Sequence, residues 1–313
     1  MKRTAFIFPG QGSQEVGMGH EMYQSYPEVK ELFDAADEAL GYSLTSLMFE
    51  GPSDELTKTE NAQPALLLNS VAIAQVLEKE GISPVMTAGH SLGEYSALVS
   101  AGALDAIDAV KLVHTRGKLM EEAYPTGLGA MAAVLGLGKE EIEQVLSGLD
   151  PEQPVDLANI NCPGQIVISG TAEGVETASK QLKEAGAKRV LPLNVSGPFH
   201  SRLMKPASES FSQSLEKTNV RNASLPVYAN VSAEAVTDAD QIRSLLIEQL
   251  YSPVRFQEIL EAFVEEDIDA IVEVGQGKVL SGLVRKVKRR MKTFAIEDSE
   301  SVASFVEWNK EDQ

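Results

Sequence analysis

A serine between two glycines is the strongest chemical signal in the sequence. The segment Gly89-His90-Ser91-Leu92-Gly93 has the G-x-S-x-G pattern of a nucleophile elbow, a sharp turn that exposes a serine hydroxyl. The glycines are needed because side chains there would collide with each other or with an approaching carbonyl group. A short apolar run precedes the pattern and a helical pattern follows it. This context favours a nucleophile over an ordinary turn with a capping serine.

A serine nucleophile needs a base, and the sequence offers four histidines, His20, His90, His114 and His200. His90 adjoins the serine, but neighbouring side chains at an elbow diverge, which favours a supporting role. His200 follows a predicted strand and precedes a helix, and α/β proteins hold catalytic groups at the carboxyl ends of strands. We therefore expect His200 to be the base, with a structural histidine as the alternative.

An arginine lies on the apolar face of a helix predicted over residues 106–122. Arg116 shares that face with Ala109, Val113 and Met120. A buried guanidinium is unfavourable unless a carboxylate or other acceptors meet it. Two interpretations remain open, an ion pair with an acidic residue of the protein and a bidentate clamp for a substrate carboxylate.

A glycine-rich turn at residues 10–12 follows the first predicted strand, Thr4–Phe8. Its backbone N–H groups could face the same edge of the sheet as Ser91. The N–H groups of Gln11 and Leu92 would then form an oxyanion hole, with a plain tight turn as the alternative.

Strands alternate with helices along most of the chain, which is typical of an α/β fold with a parallel sheet. Between residues 127 and 196 the order changes to β-α-β-β-α-β, the ferredoxin-like arrangement. We expect a large catalytic subdomain of residues 1–126 and 197–313, and an inserted small subdomain of residues 127–196. The acidic segment from residue 297 onward has few apolar residues and is expected to be peripheral. The predicted strands are 4–8, 85–88, 130–135, 155–159, 165–169, 188–193, 226–230, 270–274 and 293–296. The predicted helices are 26–40, 64–79, 94–101, 106–122, 139–149, 172–185, 240–250 and 256–265, with a further helix opened by residues 275–278.

Composition narrows the class of protein. The 313 residues are 43% hydrophobic, enough for a sizeable core, and the net charge of −19 argues against nucleic-acid binding. One cysteine, Cys162, excludes an intramolecular disulfide and a cysteine-clustered zinc site. No apolar segment has the length or composition of an export signal or a membrane span. We expect a cytoplasmic protein that does not bind membranes.

Taken together, the motifs resemble the malonyl-CoA:acyl carrier protein transacylases of bacterial fatty-acid synthesis. The resemblance implies an α/β-hydrolase-like large subdomain with a parallel sheet and an inserted ferredoxin-like small subdomain. Gln276 is a departure, because the family usually has proline there; it affects a turn and not the chemistry. The matching pieces occur in family order: Phe8-Pro9-Gly10-Gln11-Gly12-Ser13-Gln14, Gln63-Pro64-Ala65, Gly89-His90-Ser91-Leu92-Gly93-Glu94, Arg116-Gly117, Gly197-Pro198-Phe199-His200-Ser201 and Gly277-Lys278-Val279-Leu280.

The resemblance also implies a role for each matched residue. Ser91 is the acyl-accepting nucleophile, His200 is its base and later its acid, and Arg116 pairs with the free carboxylate of the malonyl group. The N–H groups of Gln11 and Leu92 bind the oxyanion.

The same resemblance implies roles for three further residues. Gln63 is expected to bind substrate, and His90 to support the site. A backbone carbonyl near Gln249 is expected to orient the histidine, since the family has no triad aspartate. No metal and no bound cofactor are expected: coenzyme A enters as a thioester substrate, and acyl carrier protein brings its own phosphopantetheine. We expect a monomer whose partners are malonyl-CoA and acyl carrier protein.

Three alternatives remain open. A serine esterase or thioesterase would use the same elbow with water as the acceptor. An acyltransferase of a polyketide pathway would select malonyl or a branched analogue, and Phe199-His200 resembles the malonyl-selecting motif of that wider family. A scaffold without catalytic activity would carry a degenerate site.

The carrier proteins of this pathway are acidic, so the charge of −19 makes long-range attraction unfavourable. Residues 285–292, which hold six basic and no acidic side chains, and Lys188-Arg189 are candidate docking patches. A solvated helix face is the alternative.

Overall fold

The computed structural model describes residues 1–311. In chain order the strands are β1 (Thr4–Phe8), β2 (Met86–Gly89), β3 (Gly129–Leu135), β4 (Val155–Cys162), β5 (Gln165–Thr171), β6 (Arg189–Pro192), β7 (Val227–Tyr228), β8 (Ala235–Val236), β9 (Ala270–Val274) and β10 (Thr293–Ile296). The helices are α1 (His20–Ser25), α2 (Pro27–Leu40), α3 (Leu44–Glu50), α4 (Ser53–Thr57), α5 (Thr59–Lys79), α6 (Gly93–Ser100), α7 (Ala106–Glu122), α8 (Lys139–Ser147), α9 (Ala172–Glu184), α10 (Lys205–Glu216), α11 (Ala239–Gln249), α12 (Phe256–Glu265), α13 (Val279–Val287) and α14 (Ser299–Lys310).

Six strands form the main sheet in the order β10-β9-β1-β2-β7-β8. The first five are parallel, and β8 pairs with β7 in the antiparallel sense. Phe8 of β1 lies beside Gly89 of β2, so these two strands end at the same edge. The segments that follow them, the glycine-rich turn and the serine elbow, therefore meet at that edge, as predicted.

The main sheet is covered on both faces, which explains why β1 is buried at every position. Phe6 and Phe8 belong to one apolar core, together with residues of α2, α5 and α7, whereas Ala5 and Ile7 belong to a second core with residues of α12 and α13. Alternate side chains of a strand point to opposite faces, so one apolar run supplies both cores.

A second, antiparallel sheet has the order β4-β5-β3-β6, and α8 and α9 pack against it. Its elements follow one another as β-α-β-β-α-β, which confirms the predicted ferredoxin-like arrangement. Strand β4 extends beyond its predicted end at residue 159: it continues through Asn161 to Cys162, and only residues 163–164 turn. The fold is an α/β-hydrolase-like unit with a parallel sheet and an inserted ferredoxin-like unit.

The prediction that the chain is peripheral from residue 297 is also wrong. Helix α14 buries Phe305 completely, and the ring of Trp308 packs on Phe294 at a centroid distance of 4.6 Å. Asp298 caps the helix by accepting a hydrogen bond from the backbone N–H of Ser301. The few apolar residues of this segment suffice because they share one helical face.

The other observed helices and strands differ from the predicted ones mainly in where they begin and end. Helix α5 begins at Thr59, five residues before the predicted start at 64, and carries Pro64 within it. Helices α1, α3 and α4 were not predicted, and α10 was expected only as a helix after His200, without bounds. Within residues 1–311, every helix is too short or too polar to cross a membrane.

Candidate active site

The serine elbow is a strained turn between β2 and α6. Ser91 has a φ of 52°, in the left-handed region that non-glycine residues rarely adopt. A Cβ atom at Gly93 would lie 2.1 Å from the carbonyl oxygen of Phe8, and one at Gly89 would lie 1.9 Å from that of Gly93. Both glycines of the motif are therefore required by close packing of the backbone.

Asn230 braces this elbow from the neighbouring strand. It lies two residues after β7, which pairs with β2, and it is fully buried. Its Oδ1 accepts a hydrogen bond from the backbone N–H of Ser91 at 2.8 Å, and its Nδ2 donates to the carbonyl of Gly89 at 2.7 Å. Asn230 was not predicted from the sequence, because one asparagine at the carboxyl end of a strand is too weak a signal on its own.

His200 meets the serine. Its Nε2 lies 2.8 Å from Ser91 Oγ, and its Nδ1 lies 2.8 Å from the backbone carbonyl oxygen of Gln249. A carbonyl can only accept, so Nδ1 carries the proton and Nε2 presents its lone pair to the hydroxyl. Burial, followed by the charge of Arg116, lowers the pKa of His200 to about 3. The imidazole is therefore neutral near pH 7.

Arg116 is buried, with 1% of its surface exposed, and none of the ion pairs within residues 1–311 involves it. Its Nη1 donates to Gln63 Oε1 at 2.7 Å, and its Nη2 donates to Gln249 Oε1 at 2.9 Å and to Ser91 Oγ at 3.2 Å. Burial lowers its pKa. The interpretation as a structural ion pair therefore fails: two neutral amides hold the cation beside the nucleophile.

The guanidinium also meets the phenol of Tyr95, whose ring centroid lies 5.3 Å from Arg116 Cζ. Arg116 Nε is buried and makes no hydrogen bond of normal geometry among the described residues. A buried cation with no contacting carboxylate is a favourable place for a ligand carboxylate.

A cavity of about 150 Å³ opens above the serine. Ser91, His200, Gln11, Leu92 and Gln63 all line it, so the structure brings these five predicted residues to one place. Arg116 and Gln249 do not line it; Arg116 meets the site through the hydrogen bond from Nη2 to Ser91 Oγ. A larger groove of about 480 Å³ also reaches His200. The imidazole therefore lies where a small acyl pocket meets a wider entrance. The apolar part of the smaller cavity is lined by Met120, Met131, Leu193, Val195 and Phe199.

The two residues predicted for an oxyanion hole, Gln11 and Leu92, both line this cavity. The N–H groups of Gln11 and Leu92 donate to no acceptor within the described part of the chain, whereas the N–H of Gly12 donates to Gln14 Oε1 at 2.7 Å. The Gln11 side chain is held apart by a 3.2 Å hydrogen bond to Thr59 Oγ1. Free N–H groups at this point can stabilise negative charge on an acyl oxygen.

His90 lines the same cavity but makes its contacts elsewhere. Its Nε2 lies 2.7 Å from Asn161 Oδ1, and its ring meets Phe256 edge-on. It therefore ties the elbow to β4 of the second sheet. His114 contacts the carbonyl of Glu60, and His20 stacks on Phe49, so neither reaches the serine.

The two basic segments predicted as docking patches lie on neighbouring parts of the surface. Lys286 lies close enough to Cys162, at the end of β4, for its positive charge to oppose the rise that burial causes in the pKa of the thiol. Lys188 packs its aliphatic chain beside Gly136, whose N–H donates to the carbonyl of Gly164 in the turn after β4. Their role in docking stays a prediction.

The arrangement is suited to covalent acyl transfer. It combines a serine hydroxyl, a neutral imidazole, two free backbone donors and an unpaired guanidinium. No group of three or more His, Cys, Asp or Glu residues within residues 1–311 is arranged to hold a metal ion.

Comparisons with known proteins agree with this chemistry. The family model described as "Acyl transferase domain" matches residues 5–312. A malonyl CoA-acyl carrier protein transacylase of Bacillus subtilis (strain 168) is 55% identical over 313 residues, covering 100% of this chain and 99% of that protein. The crystal structure of an acyl carrier protein S-malonyltransferase from Vibrio cholerae O1 biovar eltor is 44% identical, with a TM-score of 0.94 over 97% of this chain and 99% of that one. A malonyl-transacylase solved in complex with its type II PKS acyl-carrier protein is also 44% identical, with a TM-score of 0.95 over 98% and 100% of the two chains.

Proposed function

The chain belongs to the acyl transferase family, and from that premise we propose that it transfers the malonyl group of malonyl-CoA to the phosphopantetheine thiol of acyl carrier protein, for fatty-acid synthesis. The observation that carries the choice of a malonyl group is the position of Arg116. Its guanidinium lies 3.2 Å from Ser91 Oγ and contacts no carboxylate of the described chain. A donor with a free carboxylate supplies the missing anion.

In the first half-reaction, Ser91 Oγ attacks the thioester carbonyl carbon while His200 Nε2 takes the hydroxyl proton. The carbonyl oxygen becomes an oxyanion that the N–H groups of Gln11 and Leu92 bind. The carbon–sulfur bond then breaks, and the imidazolium returns the proton to the coenzyme A sulfur. The product is an ester between the malonyl group and Ser91.

In the second half-reaction, the phosphopantetheine thiol takes the place of coenzyme A. His200 removes its proton, the sulfur attacks the ester, and the proton passes back to Ser91 Oγ as the carbon–oxygen bond breaks. The same base serves both steps, because Ser91 is the nucleophile of the first step and the leaving group of the second, and a thiol takes the opposite part in each. The Gln249 carbonyl keeps Nδ1 protonated throughout, so Nε2 stays available.

Gln63 and His90 support the catalytic residues without taking part in bond making. Gln63 acts in substrate binding by holding Arg116, to which its Oε1 is bonded at 2.7 Å, and His90 supports the elbow. The reaction needs no metal and no bound cofactor, because side chains supply the nucleophile, the base and the positive charge. Residues 127–196 form the small subdomain, and residues 1–126 and 197–311 form the large catalytic one. The single, buried thiol of Cys162 is compatible with the cytoplasm as the compartment.

Mass spectrometry of the intact protein after exposure to malonyl-CoA tests the proposal. The wild type should gain the mass of one malonyl group, and peptide mapping should place it on Ser91. Ser91→Ala should gain nothing. Ser96→Ala is the matched control, because that hydroxyl lies on the next turn of the chain, is buried and has no hydrogen-bond partner among the described residues.

Addition of acyl carrier protein to the labelled enzyme separates transfer from hydrolysis. The malonyl group should leave the enzyme and appear on the carrier protein. Release as free malonate, at a rate independent of carrier protein, would identify a thioesterase instead. Labelling of Ser91→Ala at the wild-type level would overturn the assignment of the nucleophile.

A further inference from the structure

A buried carboxylate lies behind the arginine and the histidine. Glu94, in the first turn of α6, exposes 3% of its surface. Its Oε2 accepts hydrogen bonds from the backbone N–H of Asn230 at 3.0 Å and from Gln249 Nε2 at 2.8 Å. The Gln249 amide donates to Glu94 and accepts from Arg116, so it bridges the two charges.

The hydrogen bonds fix which end of that amide faces the arginine. Gln249 Nε2 donates to Glu94 Oε2 at 2.8 Å and to the carbonyl of Ser91 at 3.0 Å, and Oε1 accepts from Arg116 Nη2 at 2.9 Å. In the reversed orientation, two acceptors would meet at Glu94 and two donors would meet at Arg116. Glu94 and the Ser91 carbonyl together exclude that orientation.

We propose that Glu94 is a positioning residue that orients the side-chain amide of Gln249 and thereby holds the Arg116 guanidinium in place for the carboxylate of the acyl donor. The inference rests on the proposed function, because it assumes a donor with a free carboxylate. It assigns Glu94 no contact with the reacting atoms.

The intervening amide explains how a carboxylate can lie near Arg116 without blocking it. A direct ion pair would occupy the guanidinium face that the donor needs, whereas the neutral Gln249 oxygen takes one N–H only. Both donors converge on a single oxygen of Glu94, so the contacts persist when the other oxygen carries a proton. Burial raises the pKa of Glu94 to about 7, so both forms are present near neutral pH.

Two substitutions of similar length test the proposal. Glu94→Gln retains an oxygen that can accept both hydrogen bonds, whereas Glu94→Met retains the length and removes the acceptor. We expect Glu94→Met to lower kcat/KM for malonyl-CoA by about tenfold or more, mostly through KM, and to change kcat/KM for acetyl-CoA by about threefold or less. Glu94→Gln should stay within about threefold of wild type with both donors.

A merely structural role predicts a different result. Equal losses with malonyl-CoA and acetyl-CoA in Glu94→Met, or an unchanged KM for malonyl-CoA, would overturn the proposal. The rate at which a serine-reactive phosphonate labels Ser91 in each variant reports whether the elbow itself is intact. It should stay near the wild-type rate, because the probe has no carboxylate.

A double-mutant cycle tests whether Glu94 acts through Gln249. In the background of Gln249→Met, the further change Glu94→Met should cost less than about twofold with malonyl-CoA, because the amide is already lost. If the losses in kcat/KM from Glu94→Met and Gln249→Met simply multiply in the double variant, Glu94 does not act through Gln249 and the proposal is overturned. Malonylation of wild-type Ser91 tests the proposed function separately. Absence of that adduct would refute the proposed function. If the adduct forms, a negative result with the Glu94 variants would refute only the positioning role of Glu94.

Discussion

His200 Nδ1 donates a hydrogen bond to the backbone carbonyl oxygen of Gln249 over 2.8 Å, at the position where a serine triad has a carboxylate. A neutral carbonyl fixes the tautomer as a carboxylate does, but it offers less stabilisation to the imidazolium. The nearest positive charge, on Arg116, acts in the same direction and helps to lower the pKa of His200. The base is therefore held neutral until the substrate arrives.

This relationship predicts an unusual pH profile. Burial and Arg116 lower the pKa of His200 to about 3, so kcat/KM for malonyl-CoA should change less than about twofold between pH 6 and pH 8. Steady-state rates across this range, in buffers of constant ionic strength, provide the measurement. An acid limb centred near pH 6.5 in kcat/KM, the value for an ordinary histidine, would contradict it.

Binding of the donor should change that pKa. The malonyl carboxylate places a negative charge on Arg116, which removes part of the repulsion that disfavours the imidazolium of His200. Acylation measured in single turnovers should therefore show a higher apparent pKa with saturating malonyl-CoA than with acetyl-CoA. Identical values for the two donors would contradict a charge effect at Arg116.

The arginine should control donor choice. Arg116→Ala should reduce kcat/KM for malonyl-CoA by about 100-fold or more, because the donor carboxylate loses a buried partner. Acetyl-CoA, which has no such group, should lose less than about tenfold and become the better donor in relative terms. Arg243→Ala is the control, since Arg243 donates to the backbone carbonyls of Leu215 and Thr218 and lines neither the cavity nor the larger groove. Losses of the same size with both donors in Arg116→Ala would indicate a structural arginine.

The elbow should tolerate no side chain at its second glycine. In Gly93→Ala the new Cβ would lie 2.1 Å from the carbonyl oxygen of Phe8, so β1 and α6 would have to separate. We expect a loss of about 2 to 4 kcal/mol in the free energy of unfolding, measured by urea denaturation, and loss of serine labelling. Gly282→Ala is the matched control: Gly282 lies within α13 with open space around it, so alanine should be neutral or stabilising.

Glu94 should make stability depend on pH with a definite sign. Its pKa is about 7 in the folded protein against 4.5 when exposed, so between these values the folded state holds a proton that the unfolded state has lost. Stability therefore falls as pH rises through this window, by an amount on the order of 2 kcal/mol.

Glu94→Gln removes this contribution. The variant should gain thermal stability relative to wild type at pH 8, and gain little or nothing at pH 4.5, by melting curves at both pH values. His200 has the opposite slope between about pH 3 and 6.5, since its folded pKa is depressed, but it is present in both proteins and cancels in the difference. A difference in melting temperature that does not vary with pH would count against a raised carboxyl pKa.

The sequence predicts the parts of this site that local pattern encodes. Ser91 lies in a glycine-flanked turn, and His200 and Gln11 each follow a strand, so topology alone brings them to one edge. Glu94 and Asn230 were missed because a lone carboxylate or amide has no characteristic spacing. They become interpretable only when the pairing of β2 with β7 places them together.

The fold shows the same division between local and long-range information. Strands β1, β9 and β10 were predicted at their observed bounds, because continuous apolar runs between turns indicate buried strands. Helix α14 was judged peripheral because its segment is mostly polar. Burial of Phe305 depends on a surface formed by distant parts of the chain, which composition cannot reveal.

The place of β1 in the middle of the main sheet has a consequence for synthesis. Its two neighbours are β2, about 80 residues later, and β9, which begins at residue 270. During synthesis, pairing with β2 can satisfy one edge of β1, and the other edge stays open until β9 has been translated. The enzyme is thus expected to acquire its activity only after the ribosome has passed residue 274.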